Sequence, residues 1–151
     1  MLPEPAPVLP EWPPGTVAIL VTAGLVTAGE APHAIPVSAA IRAGSRHVLL
    51  GLAAGRGSLA RLRANERVSL AILAGDLAVT AHGQARVVDE QLVEGVVAVE
   101  IEVDAVREHD RPAFVIESGV RWRWIDADAE RRDAEVHAAL ARLARAQAGG
   151  A

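Results

Sequence analysis

The sequence predicts a mainly β domain: an antiparallel barrel of the meander or Greek-key type, with a short inserted helix and a C-terminal helix. Six or seven segments are rich in the β-branched and apolar residues that favour strands. Turns of only a few residues separate most of them, and such short connections join antiparallel strands, whereas parallel strands need long crossovers. Helical periodicity is confined to two stretches.

Length and composition indicate one ordered domain. A chain of 151 residues favours a single domain, and an apolar share of 51% argues against general disorder. Aromatic residues make up only 3%, so the core is expected to consist of Val, Leu, Ile and Ala. We expect a proline-rich arm over residues 1–14, the barrel over 15–126, and a C-terminal helix and tail over 127–151.

The N-terminal arm contains six prolines. Proline fixes φ and lacks a backbone donor, so the arm is expected to be extended rather than helical. Two interpretations stay open. The arm is either a free tail or a segment that lies across a partner subunit.

The first strand is expected over residues 16–22 (TVAILVT), which are β-branched and apolar. A turn at 29–31 leads to a second strand over 32–42 (PHAIPVSAAIR). A turn at 43–45 leads to a third strand over 46–52 (RHVLLGL).

The inserted helix follows a glycine-flanked break at residues 55–57. Residues 58–65 (SLARLRAN) place Leu59 and Leu62 on one helical face. The next strand is expected over 68–73 (VSLAIL).

Three further strands complete the barrel. A tight turn at 75–76 precedes a long strand over 77–88, in which Gly83 predicts a bulge. The strand over 96–103 is expected to turn its glutamates to solvent. The last strand is expected over 120–125 (VRWRWI), whose alternation puts Trp122 and Trp124 on one face, either against a ligand ring or in core or interface packing.

The C-terminal helix is expected over residues 126–147. Asp126 or Asp128 can cap it, and acidic residues early with arginines late suit the helix dipole. Its narrow apolar stripe consists of Val136, Leu140 and Leu143.

Charge and composition exclude several classes of function. The net charge is -4 and no basic tract is present, so we expect no nucleic-acid partner. The absence of cysteine excludes disulfides and thiolate chemistry, and it suits a reducing compartment. No signal-peptide pattern begins the chain, and proline and glycine interrupt the uncharged stretch at 12–29. We therefore expect a cytoplasmic protein without a membrane partner.

The common catalytic motifs are missing as well. The five histidines show no HExxH or HxH spacing, so no metal site is expected. No serine lies in a GxSxG elbow, and no GxGxxG follows a strand in a βαβ unit.

The start of the inserted helix is the candidate anion site. A helix N-terminus presents unpaired backbone N–H groups and positive potential, and glycines let an anion approach closely. Arg56 and Arg61 add positive charge, and Ser58 adds a hydroxyl. The alternative is an ordinary capped helix with surface arginines.

The order of these segments resembles the pyridoxamine 5′-phosphate oxidase-like proteins. Residues 46–73 resemble the family segment that joins a strand to the phosphate-binding turn, with Asn65–Leu70 (NERVSL) similar to its Asn-Pro-Arg-Val-Ser-Leu. Residues 32–41 resemble the strand beside the flavin ring. The resemblance covers roughly residues 15–126, and the order of the motifs carries it more than any one of them.

The resemblance implies a six-stranded antiparallel split barrel that forms a homodimer and holds FMN at the dimer interface. Many relatives are oxidoreductases, some use a deazaflavin instead, and others bind a different ligand or none. We therefore expect an FMN-binding or deazaflavin-binding oxidoreductase that acts on a small-molecule substrate. The alternative is a cofactor-free or other-ligand binding module on the same dimeric barrel.

The resemblance also assigns site residues. Those expected near the flavin ring are Pro36, Val37 and Ser38, with Gln84 as a ring contact or one step behind it. Trp122 is a further candidate for the ring, from the alternation of its own segment and not from the resemblance. Those expected near the ribityl chain and phosphate are Gly51, Leu52, Arg56, Gly57 and Ser58, with Arg61 in support.

Two of these positions depart from the family pattern. The family often has Tyr-Thr where this chain has Gly51-Leu52, and Ser-Arg-Lys where it has residues 56–58 (RGS). A single arginine can still hold a phosphate through two hydrogen bonds. Leu52 and the missing lysine favour the cofactor-free alternative.

Overall fold

The fold is a curled antiparallel sheet with one inserted and one C-terminal helix, seen in a computed structural model that describes residues 6–109 and 113–150. Residues 1–5, 110–112 and 151, which belong to the expected arm, barrel and tail, lie outside the described residues. The elements in chain order are β1 (Ala18–Thr22), a 3-10 turn (Val26–Ala28), β2 (His33–Val37), β3 (Ala40–Arg42), β4 (His47–Ala53), α1 (Gly57–Ala64), β5 (Arg67–Ala74), β6 (Leu77–Val93), β7 (Val96–Glu108) and α2 (Ala127–Gly149).

The sheet order β2-β1-β5-β6-β7-β4-β3 explains why the sheet curls. Each neighbouring pair is antiparallel, and β2 and β3 form the two opposite edges. Only Ser38 and Ala39 connect these edges. Since consecutive Cα atoms are 3.80 Å apart, the ends of β2 and β3 lie at most about 11 Å from each other. The two edges therefore meet at this corner, and the sheet is a split barrel, as the sequence predicts.

The described residues form seven strands, whereas the family resemblance implies six. The corner at Ser38 and Ala39 divides the predicted strand 32–42 into β2 and β3. The predicted bulge at Gly83 is confirmed, since the β6–β7 register shifts between His82 and Gly83. A Cβ at Gly83 would lie 2.2 Å from the Glu102 carbonyl oxygen, so only glycine fits this close approach.

The predicted strand over residues 120–125 is wrong. This segment is irregular, and it pairs with none of the strands that the structure describes. Gly119, just before it, lies so close to β5 that a Cβ there would overlap the Leu73 carbonyl. Alternation of apolar and polar residues shows that successive side chains point to opposite sides of the backbone. Any extended segment has this property, whether or not it pairs with a strand.

The core has two parts, one on each side of the sheet. Inside the barrel, Leu20, Leu50 and Ile101 belong to a large apolar cluster. On the outer side, α2 covers Leu49 with Leu140. Because both faces of β4 are covered, this strand is apolar at consecutive positions instead of alternating.

The helix α2 begins and packs as its sequence predicts. The Asp126 carboxylate accepts hydrogen bonds from the backbone N–H groups of Asp128 (2.9 Å) and Ala129 (3.1 Å). Val136 and Leu140 are buried. Among the residues that the structure describes, no helix is long and apolar enough to span a membrane.

A contact near the C-terminal end of α2 involves Glu100, which the sequence predicts to be exposed. Glu100 on β7 is only 6% exposed, so the predicted solvated face is wrong at this position. Its carboxylate accepts hydrogen bonds from Arg86 (3.0 Å) and from Gln147 on α2 (2.9 Å). These partners compensate for burying the charge.

The described part of the arm, residues 6–14, packs on its own barrel. Leu9 is buried in the interior cluster, and its N–H donates to the Ser45 carbonyl (2.8 Å). The Trp12 indole N–H donates to the Ala40 carbonyl beside it (3.1 Å). This part is therefore not a free tail, and a contact of the arm with a partner subunit stays a prediction.

Candidate functional site

A cavity of about 330 Å³ lies where the corner meets β4, the turn before α1, and the segment before α2. This volume is within the range of ligand sites, roughly 300–1,000 Å³. Its lining residues are Pro36, Val37, Ser38, Ala39, Gly51, Leu52, Ala53, Arg56, Val96, Trp122, Trp124 and Val136. We call it the corner cavity.

The corner cavity brings together many of the residues predicted from the sequence to bind a cofactor. They come from three separate stretches of the chain: residues 36–38, residues 51–56 and Trp122. Gly57, Ser58 and Arg61 lie on the adjacent helix α1 and do not line the cavity. Gln84 is an exposed residue in the middle of β6, also away from the cavity, and its role stays a prediction.

Arg56 supplies the positive charge of the corner cavity. It is the N-cap residue of α1, with an extended backbone (φ -68°, ψ 134°), and its side chain is exposed. Within residues 6–109 and 113–150 it forms no ion pair. Its guanidinium is therefore available to an anion, next to the first turn of α1.

Arg61 is engaged elsewhere. Its Nε donates to the Glu30 carboxylate (2.8 Å), which ties α1 to the loop after β1. A Cβ at Gly57 would lie 2.7 Å from the Arg61 Nη1, so the glycine makes room for this guanidinium. Ser58 is only 2% exposed. In this structure these residues therefore support the turn that carries Arg56.

The Glu30–Arg61 pair predicts a pH-dependent contribution to stability. The hydrogen bond from Arg61, followed by one from the Leu25 backbone N–H, holds the pKa of Glu30 below its ordinary value. A lowered folded-state pKa stabilises the fold above the unfolded-state pKa, and this stabilisation disappears as pH falls through the folded-state pKa.

We therefore expect Glu30→Gln to lower the thermal unfolding temperature at neutral pH. Well below the folded-state pKa of Glu30, the variant and the unchanged protein are expected to unfold at the same temperature. If the two proteins differed in unfolding temperature by the same amount at both pH values, the pair would not act through the Glu30 charge.

Two indole rings form one wall of the corner cavity. The ring centroids of Trp122 and Trp124 are 5.0 Å apart, and the rings are tilted by 49°. Trp122 is 48% exposed, so of the two alternatives for this pair, packing in the core is wrong for this residue. Exposed indoles at a cavity wall provide a surface on which a planar ring can stack.

The sequence prediction missed the helix α2 as part of this site. A Cβ at Gly51 would lie 2.7 Å from the Val136 Cγ1, so glycine at this position lets α2 approach β4. The departure from the family pattern at Gly51 thus has a packing reason. Two polar residues of α2, Asp133 and His137, also contact the corner, and their spacing of four residues was the pattern that could have identified them.

A second cavity, also of about 330 Å³, lies on the other side of this contact. The arm and β3 form most of its wall, with Trp12 and Arg42 among its residues, and His137 lines it from α2. Elsewhere, Ser69 and His82 form a hydrogen-bonded pair (2.7 Å) beside a smaller cavity of about 180 Å³. No group of three or more His, Cys, Asp or Glu in the described residues could hold a metal ion.

Comparison with solved structures identifies the fold. A putative pyridoxamine 5′-phosphate oxidase from Listeria innocua superposes with a TM-score of 0.51 and 14% identity, covering 62% of this chain and 88% of that chain. The HupZ protein of Group A Streptococcus gives 0.55 and 11%, covering 69% and 90%. An F420 reductase gives 0.53 and 10%, covering 62% and 90%.

The chain therefore has the split-barrel fold of the pyridoxamine 5′-phosphate oxidase-like proteins, which is the fold that the sequence motifs predict. Comparison of the sequence with protein-family models and with curated proteins gives no match.

Proposed function

We propose that the protein binds FMN or a deazaflavin in the corner cavity and is an oxidoreductase acting on a small-molecule substrate. The observation that carries this proposal is the set of side chains that line the corner cavity. An arginine without an ion pair among the described residues, Arg56, and two indole rings line the same cavity. An arginine suits a phosphate group, and an indole ring offers a stacking surface to an aromatic ring.

The phosphate end of the cofactor would lie at Arg56. A guanidinium donates two parallel hydrogen bonds to a phosphate, and the first turn of α1 adds backbone N–H groups. Since Leu52 is apolar and buried, no side-chain hydroxyl supports the phosphate at that position. Most of the charge compensation would therefore come from a single residue.

The ring end would lie between the corner and the indole pair. Pro36 and Val37 supply an apolar surface, and Trp122 supplies an exposed aromatic one. When bound, a flavin or deazaflavin supplies hydride-transfer chemistry. The protein would orient the ring and exclude water from it, and no side-chain nucleophile is required.

We further propose that the protein is a homodimer whose interface includes the segment before α2. This segment exposes large apolar side chains, at Val115 (77%), Val120 (46%) and Ile125 (89%), and Trp122 of the corner cavity lies among them. Several exposed large apolar residues in one segment are typical of an interaction surface. A second copy covering them would also narrow the opening of the corner cavity.

Titration of the purified protein with FMN, riboflavin and a deazaflavin, followed by flavin fluorescence, tests the proposal. We expect saturable binding of FMN or the deazaflavin, and weaker binding of riboflavin, which lacks the phosphate. Sedimentation of the same samples is expected to give a dimer. If none of the three ligands binds, the alternative of a cofactor-free or other-ligand module replaces the flavin proposal.

A further inference from the structure

The corner between β2 and β3 has few backbone restraints of its own. Ser38 and Ala39 belong to no strand, and they connect the two edges of the sheet. The Ala39 carbonyl accepts a hydrogen bond from the Gly51 N–H (3.1 Å). The corner nevertheless forms a wall of the corner cavity, so its position determines the shape of that cavity.

Two side chains from α2 hold this corner. The Ser38 hydroxyl donates to the Asp133 carboxylate (2.6 Å), and the His137 Nε2–H donates to the Ser38 carbonyl (2.9 Å). The His137 Nε2 also lies 3.3 Å from the other Asp133 oxygen. We call these three residues the corner clamp.

The clamp is sheltered from water. The side chains of Asp133 and His137 are 18% and 28% exposed, and they lie one helical turn apart, beside the buried Val136. Hydrogen bonds to a charged group are stronger than neutral ones, and partial burial strengthens them further. The arrangement differs from a catalytic triad, because the serine hydroxyl bonds to the carboxylate and not to the imidazole.

We propose that Asp133 and His137 are positioning residues for the proposed cofactor site: they fix the Ser38 corner and so keep the corner cavity open to a flavin. This inference rests on the proposed function. The Ser38 hydroxyl is bonded to Asp133 and is therefore not offered to the flavin ring. The clamp joins the C-terminal helix to the binding site.

Two readouts test the clamp: FMN affinity, and amide hydrogen exchange of Gly51 in the ligand-free protein. Asp133→Ala is expected to weaken FMN binding about 10-fold and to speed Gly51 exchange, because the Ser38 hydroxyl loses its hydrogen-bond acceptor. Asp133→Asn keeps an oxygen acceptor for the Ser38 hydroxyl. Its FMN affinity and its Gly51 exchange rate are therefore expected to stay close to those of the unchanged protein. Glu135→Ala removes an exposed carboxylate from the same helix and is the matched control.

A double-mutant cycle separates the clamp from general destabilisation. If Asp133 acts through the Ser38 hydroxyl, Asp133→Ala has a smaller effect in a Ser38→Ala background than in the unchanged protein. Additive effects, or equal losses in the Asp133→Ala and Asp133→Asn variants, would overturn the proposal.

The clamp and the proposed function can fail separately. Unchanged FMN affinity and unchanged Gly51 exchange in the Asp133→Ala variant would overturn the clamp and leave flavin binding standing. If the unchanged protein binds no flavin, the proposed function fails, and the clamp is then tested by hydrogen exchange alone. Faster Gly51 exchange in Asp133→Ala then supports the clamp as a restraint on the corner, and unchanged exchange overturns it.

Discussion

Replacing Arg56 with alanine is expected to weaken FMN binding about 10- to 100-fold, because hydrogen bonds to charged groups contribute roughly 1.5–3 kcal/mol and each 1.4 kcal/mol is a factor of ten in affinity. Among the described residues, Arg56 is the only cation that lines the corner cavity, so no other lining residue compensates for the loss. The measurement is a fluorescence titration with FMN at fixed ionic strength.

Riboflavin and a second arginine provide the controls for this prediction. Arg63 is also on α1, but its guanidinium pairs with Glu90 at the surface, and Arg63→Ala is expected to leave FMN affinity unchanged. Riboflavin affinity is expected to be the same in Arg56→Ala and the unchanged protein. An equal loss for FMN and riboflavin would show that Arg56 acts on the ring or the fold and not on the phosphate.

Replacing Leu140 with alanine is expected to lower the free energy of unfolding by about 2–5 kcal/mol, the usual cost of removing a fully buried leucine side chain. Leu140 is 0% exposed and packs with Leu49, Ala98 and Val136 between α2 and the sheet. Since this cluster fixes the position of α2, the variant is also expected to loosen the contact of Asp133 with Ser38.

Urea unfolding with Leu143→Ala as the matched control tests this prediction. Leu143 lies on the same apolar stripe of α2 but is only partly buried, so its replacement is expected to cost less. If both variants lost the same stability, the packing at Leu140 would not be what holds α2 against the sheet.

Local patterns were sufficient to predict most of the fold. Short turns between apolar segments predict the antiparallel strands, and Gly83 predicts the bulge that the β6–β7 register shows. The cap at Asp126 and the stripe through Val136 and Leu140 predict α2 and its buried face. These features depend on neighbouring residues, so they are visible in the sequence.

The failures occur where distant parts of the chain decide the structure. The predicted strand 32–42 breaks at Ser38 because the two edges of the sheet meet there, and sheet closure has no local pattern. The alternation at 120–125 predicts a strand, but a strand also requires a partner, which this segment lacks. Glu100 is buried because α2 returns across β7.

The candidate site also has features that the sequence predicts and features that it does not. The family resemblance predicts that residues 36–38, Gly51 and Arg56 bind the same cofactor, and all of them line the corner cavity. It does not predict the pairing of Arg61 with Glu30, or the contact of Asp133 and His137 with Ser38. Those contacts join residues that are far apart in the chain, and single-sequence patterns do not report them.

The most direct test of the proposed site uses the three tryptophans of the chain, since each indole N–H gives one signal in a nitrogen-15 NMR spectrum. Trp122 and Trp124 line the corner cavity, and Trp12 lines the second cavity. During titration with FMN, the signals of Trp122 and Trp124 are expected to shift to saturation while that of Trp12 stays in place. A shift of Trp12 alone, or no shift of any indole at saturating FMN, would contradict the proposed site.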